Sequence, residues 1–209
     1  MKVAVLGIGN IGGTLSRKWA RAGHEVMCGV RDVQSPKAQA FLASGEANLA
    51  IDTLDRAIAF GEVVVFAVPG STVEAIVSAQ APALAGKIII DATNNMRADA
   101  LSSLAVFAAR TPTSKVFRAF NYLGWENFAE PHFGDLQADL LYCGPDEPQA
   151  RQAVEGLIAD IGLRPLRLGD ADHAHLLDAL LRVWFALATE QHMGRHLAFK
   201  VLTPSDASR

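Results

Sequence analysis

The sequence predicts an α/β protein with a doubly wound, mostly parallel sheet and a small helical region at the C-terminal end. Three observations lead to this prediction. The chain opens with a strand, a glycine-rich turn, a helix and a second strand. Apolar runs of strand length then alternate with helical patterns, which is typical of parallel sheets. From Asp172 onward the pattern is helical. We therefore predict a dinucleotide-binding domain of the Rossmann type over residues 1–168 and a helical region over residues 169–209.

The glycine-rich turn is the most informative segment, and its sequence is Gly7-Ile8-Gly9-Asn10-Ile11-Gly12. In a dinucleotide-binding turn, the first glycine allows the tight bend and the second lets the backbone approach a pyrophosphate. The third lets the helix pack closely on the strands. The N-terminus of the following helix presents unpaired N–H groups and a positive dipole end to the phosphates. The turn therefore predicts dinucleotide binding.

Further strands and helices alternate along the chain. The run Val63–Val68 is apolar throughout, as expected of a strand buried on both faces of a parallel sheet. Pro165 makes the last strand an edge strand. Residues 124–137 are predicted to be a loop. We predict strands at 2–6, 25–30, 48–51, 63–68, 87–92, 115–120, 139–144 and 164–168. Residues 35–45 are predicted to be loop and short helix. Helices are predicted at 14–22, through Phe60 with residues 52–53 as the cap, from the opening at 69–72 to about 81, and at 101–109 and 148–161.

The C-terminal region reads as helix from Asp172 to about Leu202, interrupted near Gly194, with a polar tail over residues 203–209. Its apolar residues occupy more than one stripe: Leu177, Leu180, Leu181, Trp184 and Leu187 on one face, with Leu176, Val183 and Phe185 beside it. A helix this apolar needs cover on two sides. We expect it to cover the active site and to form the contact of a homodimer.

Composition and charge exclude several functions. The net charge of −3 gives no support for a nucleic-acid or membrane partner. The glycine turn cuts the first apolar run too short for an export signal, so we expect a cytoplasmic protein. Cys28 and Cys143 are expected to be buried thiols. His192 and His196 stand four apart without the rest of a zinc motif, so we assign no metal.

Polar residues follow the predicted strands at the edge where a doubly wound sheet binds ligands. These strand ends lie at 7–12, 31, 67–70, 93–95 and 120–123. Arg31 suits the 2′-phosphate of NADP, whereas Asp32 would suit the ribose of NAD; we favour NADP and leave NAD open. We find no nucleophile or acid–base set, which fits hydride transfer by positioning.

Several motifs resemble those of the NADP oxidoreductases that use a deazaflavin coenzyme. They occur in the order Gly7–Gly13, Gly29–Arg31, Val65–Pro69, Ile90–Asn95, Ala119–Asn121 and Ala198–Leu202. The resemblance implies that NADP is held by two groups of residues. Gly7, Gly9, Asn10, Ile11 and Gly12 would hold the pyrophosphate, with Arg31 on the 2′-phosphate. Toward the nicotinamide lie Ala67, Val68, Pro69, Asn94 and Asn121, of which Asn121 is the nearest candidate for a catalytic role.

The resemblance also implies a second redox partner above the nicotinamide, either 8-hydroxy-5-deazaflavin, a flavin or a small acceptor. Its pocket would include Trp125, Met193 and Gly194. Two positions depart from the family pattern, because Val30 and Asp32 stand where relatives often carry a hydroxyl and a basic residue. From the glycine turn, the strand-end residues and the resemblance together, we expect an NADP(H)-dependent oxidoreductase. The alternative is a non-catalytic module that senses NADP(H) and acts through a protein partner.

Overall fold

Ten strands and eight α-helices alternate over residues 1–43 and 45–204, which the computed structural model describes. The strands are β1 Lys2–Leu6, β2 Glu25–Val30, β3 Leu49–Thr53, β4 Val63–Phe66, β5 Ile88–Asp91, β6 Lys115–Arg118, β7 His132–Phe133, β8 Leu136–Gln137, β9 Asp139–Cys143 and β10 Arg164–Gly169. The helices are α1 Asn10–Arg21, α2 Pro36–Leu42, α3 Leu54–Phe60, α4 Val73–Leu84, α5 Leu104–Arg110, α6 Trp125–Ala129, α7 Pro148–Asp160 and α8 Ala174–Phe185. Short 3₁₀ turns occupy Gly70–Thr72 and Ala171–His173.

Eight of the strands form one sheet in the order β10-β9-β6-β5-β4-β1-β2-β3. The six neighbouring strands β6, β5, β4, β1, β2 and β3 are parallel to one another. β9 meets β6 antiparallel through a single residue pair, and β10 runs parallel to β9 at the edge. The predicted doubly wound, mostly parallel sheet is confirmed, as is the edge position of the strand that contains Pro165.

Helices cover both faces of this sheet. All four residues of β4 are buried, as its continuous apolar run predicts. One face packs against α1, α7 and α8, whose buried residues include Leu15, Val154 and Leu177. The other face packs against α3, α4 and α5. The parallel strands therefore lie in the interior, and their carboxyl ends form one edge of the molecule.

The prediction of a loop over residues 124–137 is wrong in two respects. Residues Trp125–Ala129 form α6, and the rest contains the small hairpin of β7 and β8. α6 packs on α1, and the buried Phe128 ring meets the Phe120 ring edge-on at 5.5 Å between centroids. A five-residue helix is too short to show a helical period in sequence, so only this packing reveals it.

The predicted helix from Asp172 to Leu202 ends early. α8 stops at Phe185, and a π-helical turn at Ala186–Glu190 follows it. His192 and Gly194 then have φ angles of 55° and 85°, which right-handed helix does not allow. The indole N–H of Trp184 donates to the Leu197 carbonyl at 2.8 Å and holds the returning segment. The C-terminal helical region is thus present but shorter than predicted; residues 205–209 of the predicted tail lie outside the described residues.

None of the described helices combines the length and apolar character that crossing a membrane requires.

Candidate functional site

The glycine turn lies at the point where the strand order reverses, because β1 is flanked by β2 on one side and β4 on the other. Gly7 has a φ of 100°, and its N–H donates to the Gly29 carbonyl at 3.0 Å. A Cβ on Gly7 would lie 2.7 Å from the Ala67 carbonyl oxygen, and a Cβ on Gly12 would lie 2.1 Å from that of Gly7. The first and third glycines are therefore required by backbone contact alone.

Gly9 differs from the other two, because no atom lies within 4 Å of the place where its Cβ would be. It is the N-cap residue of α1, and no side chain caps the helix there. The first turn of α1 also contains no acidic residue. The unpaired N–H groups and the positive end of the helix dipole thus face open space, which is the environment that a phosphate needs.

A cavity of about 340 Å³ extends from this turn along α1, between α2 and α6. Its walls contain two cations and no carboxylate. The guanidinium of Arg17 stacks on the Phe41 ring at 4.2 Å. The cavity therefore favours an anionic ligand. Its lining residues are Ile8, Gly9, Asn10, Gly13, Thr14, Arg17, Lys37, Ala40, Phe41 and Trp125.

Arg31 and Asp32 have different environments at the end of β2. Asp32 accepts a hydrogen bond from the Gln34 amide at 2.8 Å, and the Ser35 hydroxyl donates to its carbonyl at 2.9 Å. Asp32 therefore builds the turn that leads into α2. Arg31 is exposed and has no hydrogen bond or ion pair with any residue that the structure describes. Its guanidinium is available for an anion.

The ends of β4 and β5 lie against each other. Ala67 donates its N–H to Leu6 at 3.0 Å, and Ala67 and Val68 are half-buried while Pro69 is exposed. A Cβ on Gly70 would lie 2.6 Å from the backbone of Asn94. The structure thus brings the predicted segment at 67–69 next to Asn94.

Asn94 and Asn121, predicted at the nicotinamide end, are also brought together. The side-chain nitrogen of Asn94 donates a hydrogen bond to the main-chain carbonyl of Asn121 at 2.7 Å. The Asn121 side chain is 3% exposed, and neither its nitrogen nor its oxygen has a partner among the described residues. Buried polar atoms are nearly always paired, so an unpaired carboxamide at a ligand-binding edge is a candidate functional group. Its NH₂ group provides two N–H donors, and its carbonyl oxygen is an acceptor.

Sequence reasoning missed a buried charge network beneath these residues. Arg118, at the end of β6, is fully buried and lies 3.2 Å from the equally buried Asp91 at the end of β5. Asp91 also accepts hydrogen bonds from the Thr93 hydroxyl at 2.6 Å and the Ser103 amide at 2.9 Å. The available signal was that Asp91 and Arg118 each directly follow apolar residues within a predicted strand.

The residues of the predicted second-substrate pocket are only partly brought together. Trp125 lines the cavity at the glycine turn, but Met193 and Gly194 do not. Met193 is 61% exposed. The neighbouring Arg195 bonds Glu126 of α6 at 2.6 Å and stacks on Trp184 at 5.2 Å, which holds this segment against α6. A role for Met193 and Gly194 in binding stays a prediction.

The remaining candidate groups have structural environments. Cys28 and Cys143 are buried in strands, as predicted, and burial raises the pKa of each thiol to about 11. The His196 ring bonds the Glu130 carbonyl at 2.8 Å and stacks on Phe133. Within residues 1–43 and 45–204, no three or more histidine, cysteine or acidic side chains are grouped so that they could hold a metal ion.

Comparison with known proteins agrees with this geometry. Residues 2–95 match the sequence profile of the family described as coenzyme F420-dependent NADP oxidoreductases. The resemblance to that family is confirmed. The matched range contains the glycine turn, Arg31 and Asn94, whereas the C-terminal motifs lie outside it. No curated protein matches the chain.

Solved structures extend the likeness over the whole chain. A protein from Arthrobacter sp. FB24, described as a candidate F420-dependent NADP reductase, has a TM-score of 0.83 and 25% identity, over 97% of this chain and 100% of its own. A hypothetical protein from Sinorhizobium meliloti shares the fold, with a TM-score of 0.69 and 24% identity, over 97% and 96%. A reductive aminase from Aspergillus terreus, solved with NADPH and ethyl levulinate, has a TM-score of 0.66 and 28% identity. That match covers 91% of this chain but only 64% of the aminase.

Proposed function

We propose that the chain is an NADP(H)-dependent oxidoreductase that transfers hydride between the nicotinamide and a second redox cofactor or small acceptor. The observation that carries the proposal is the close-packed glycine turn at the reversal of strand order, together with Arg31, whose side chain has no partner among the residues that the structure describes. The family profile over residues 2–95 and the reductase names of the similar structures support it.

The residues present fit an NADP molecule along the carboxyl edge of the sheet. The backbone of Gly9, Asn10 and Ile11 at the start of α1 would hold the pyrophosphate, while Gly7 and Gly12 shape the turn. Arg31 would bind the 2′-phosphate, and the exposed Lys37 in the cavity wall adds a second positive charge nearby. The involvement of Asp32 in its own turn favours NADP over NAD.

The chain contributes binding, orientation and exclusion of water to the proposed reaction. When bound, the nicotinamide donates or accepts the hydride, so no protein nucleophile is required. The Asn121 carboxamide, whose nitrogen and oxygen both have no partner among the described residues, is suited to a hydrogen bond with an amide or carbonyl group at this end of the site. Its neighbours in sequence, Phe120 and Tyr122, are buried as well, which limits the access of water to Asn121.

We propose a deazaflavin such as 8-hydroxy-5-deazaflavin as the first acceptor to test, with a flavin or an imine next. The names of the matching family and of the similar Arthrobacter structure favour the deazaflavin, and the similar aminase favours the imine. Trp125 supplies an aromatic face beside the glycine turn, against which a planar ring can stack.

A panel experiment tests the proposal. The protein is mixed with NADPH and, in turn, a deazaflavin, a flavin, a quinone and an imine, and loss of NADPH absorbance is followed. We expect oxidation with one acceptor class and a change in tryptophan fluorescence when NADPH binds. Arg110→Ala, on the exposed end of α5, is the control and should behave as wild type. Tight NADPH binding without oxidation by any acceptor would instead favour the sensor module.

We also propose that the chain forms a homodimer through α8. Leu177, Leu181 and Trp184 of this helix are buried against the rest of the chain. Leu176 and Val183 lie about two helical turns apart on the outer side of α8. They are 43% and 47% exposed. Two large aliphatic side chains on one exposed helical stripe favour a contact with a second copy of the same stripe.

A further inference from the structure

The buried Arg118 joins three separate elements at the proposed nicotinamide end. One of its terminal nitrogens donates to Asp91 of β5 and to the Thr93 carbonyl. The other donates at 2.8 Å both to the Asn94 side chain and to Asp178 of α8. A single guanidinium thus connects the carboxyl ends of β5 and β6 with α8, the helix that packs over them.

Asp178 is the partner that comes from outside the sheet. Its side chain is 18% exposed, whereas those of Arg118 and Asp91 are fully buried. The side chains that α8 buries against the rest of the chain are apolar, and apolar contacts tolerate small shifts better than a directed hydrogen bond does. The link between Asp178 and Arg118 therefore fixes where α8 lies relative to the strand ends.

The bond from Arg118 to Asn94 has a consequence for the site. Because the Asn94 side-chain oxygen accepts from Arg118, its nitrogen is directed to the Asn121 carbonyl, which it reaches at 2.7 Å. The orientation of the Asn94 amide thereby anchors the main chain that carries the unpaired Asn121 carboxamide. Replacement of a buried ionic group by apolar residues often leaves stability unchanged, so stability alone does not account for this group.

We propose that Arg118 is a positioning residue, which transmits the placement of α8 through Asn94 to Asn121 at the nicotinamide end of the site. This inference rests on the proposed function. Arg118 contacts no ligand itself; it orders the groups that do. Loss of the Asp178 contact should leave the phosphate end of the site intact, because Gly9 and Arg31 belong to other elements.

Asp178→Ala removes the acceptor and tests the inference without leaving an unpaired cation deep in the core, because Asp91 remains beside Arg118. Equilibrium binding is measured for NADPH, by its fluorescence, and for adenosine 2′,5′-bisphosphate, which lacks the nicotinamide half. We expect NADPH to bind about tenfold more weakly, the loss of one hydrogen bond to a charged group, and adenosine 2′,5′-bisphosphate to bind as in wild type. Glu147→Gln removes a carboxylate from Lys115, at the other end of β6, and should change neither affinity.

A second variant separates positioning from folding. Arg118→Lys keeps the charge but cannot reach all four partners, so it should reproduce the selective loss for NADPH while thermal unfolding still shows a folded protein. Equal weakening of both ligands, or no weakening of either, in a folded Asp178→Ala protein overturns the inference. If the wild-type protein binds neither ligand, the proposed function itself fails.

Discussion

The carbonyl oxygen of Gly7 lies where a side chain on Gly12 would have to be, 2.1 Å from the position of its Cβ. Because the Gly7 oxygen is a backbone atom and a Cβ is fixed directly to the backbone of residue 12, neither can move without opening the turn between β1 and α1. We predict that Gly12→Ala lowers the free energy of unfolding by about 3 kcal/mol, the upper end of the cost of overpacking. The same substitution should abolish NADPH binding, because the turn that would hold the pyrophosphate is opened. Thermal unfolding and NADPH fluorescence measure the two effects.

Two other glycines provide the controls for that change. Gly9→Ala meets no atom within 4 Å, so it should fold normally and weaken only NADPH binding. Gly156, inside α7, also has free space around its Cβ position. Gly156→Ala should stabilise the protein by about 0.5–1 kcal/mol, because glycine is unfavourable within a helix. Normal stability of Gly12→Ala would contradict the packing argument.

Arg31 is expected to distinguish NADP from NAD. Arg31→Ala should weaken NADP binding by about 1–3 kcal/mol, the range for a hydrogen bond to a charged group, and change NAD binding little. Paired calorimetric titrations with NADP and NAD measure the difference. Arg110→Ala is again the matched control. Equal losses for the two dinucleotides would show that Arg31 binds something other than the 2′-phosphate.

Asp139 should make stability depend on pH in the acid range. Burial alone would raise its pKa, but two hydrogen bonds from Arg164 and one from the Val201 amide hold the pKa below its usual value. Its contribution to stability is therefore fully present above about pH 4, the ordinary aspartate value, and is lost as the pH falls through the lower, folded-state pKa. The melting temperature, followed from about pH 6 down to about pH 2, measures this loss.

Asp139→Asn should remove that part of the pH dependence. At neutral pH it should cost about 3 kcal/mol, the low end of the range for breaking a buried pair, because Arg164 is 33% exposed. Asp170→Asn, which removes an exposed partner of Arg167, is the control and should cost less than about 1 kcal/mol. An unchanged acid transition in Asp139→Asn would show that other carboxylates dominate it.

The proposed dimer is tested on the outer side of α8. Replacing Leu176 and Val183 together by glutamate should give a monomer by sedimentation at micromolar concentration, because two charges would be buried in the contact. The melting temperature of the variant, extrapolated to low protein concentration, should match that of wild type, since both side chains are exposed in the single chain. A wild-type protein that sediments as a monomer would remove the proposal.

The sequence by itself determined the parts of this protein that depend on local pattern. The glycine turn, the alternation of apolar runs with helices and the edge strand at Pro165 predicted the sheet and its ligand-binding edge. The carboxyl ends of parallel strands must meet at one edge, which brought Arg31, Ala67 and Asn94 into one prediction. These features follow from steric and periodic rules that act within a few residues.

Only the tertiary structure decided the groups that depend on distant partners. Arg118 and Asp91 are ordinary charged residues in sequence, and they become a buried pair because β5 and β6 are neighbours. Asp178 joins them from 60 residues further along the chain. The end of the C-terminal helix was likewise decided by backbone angles at His192 and Gly194 and by the packing of Trp184, against an apolar pattern that favoured helix. Contacts between residues far apart in sequence leave no periodic signal, so only the folded chain shows them.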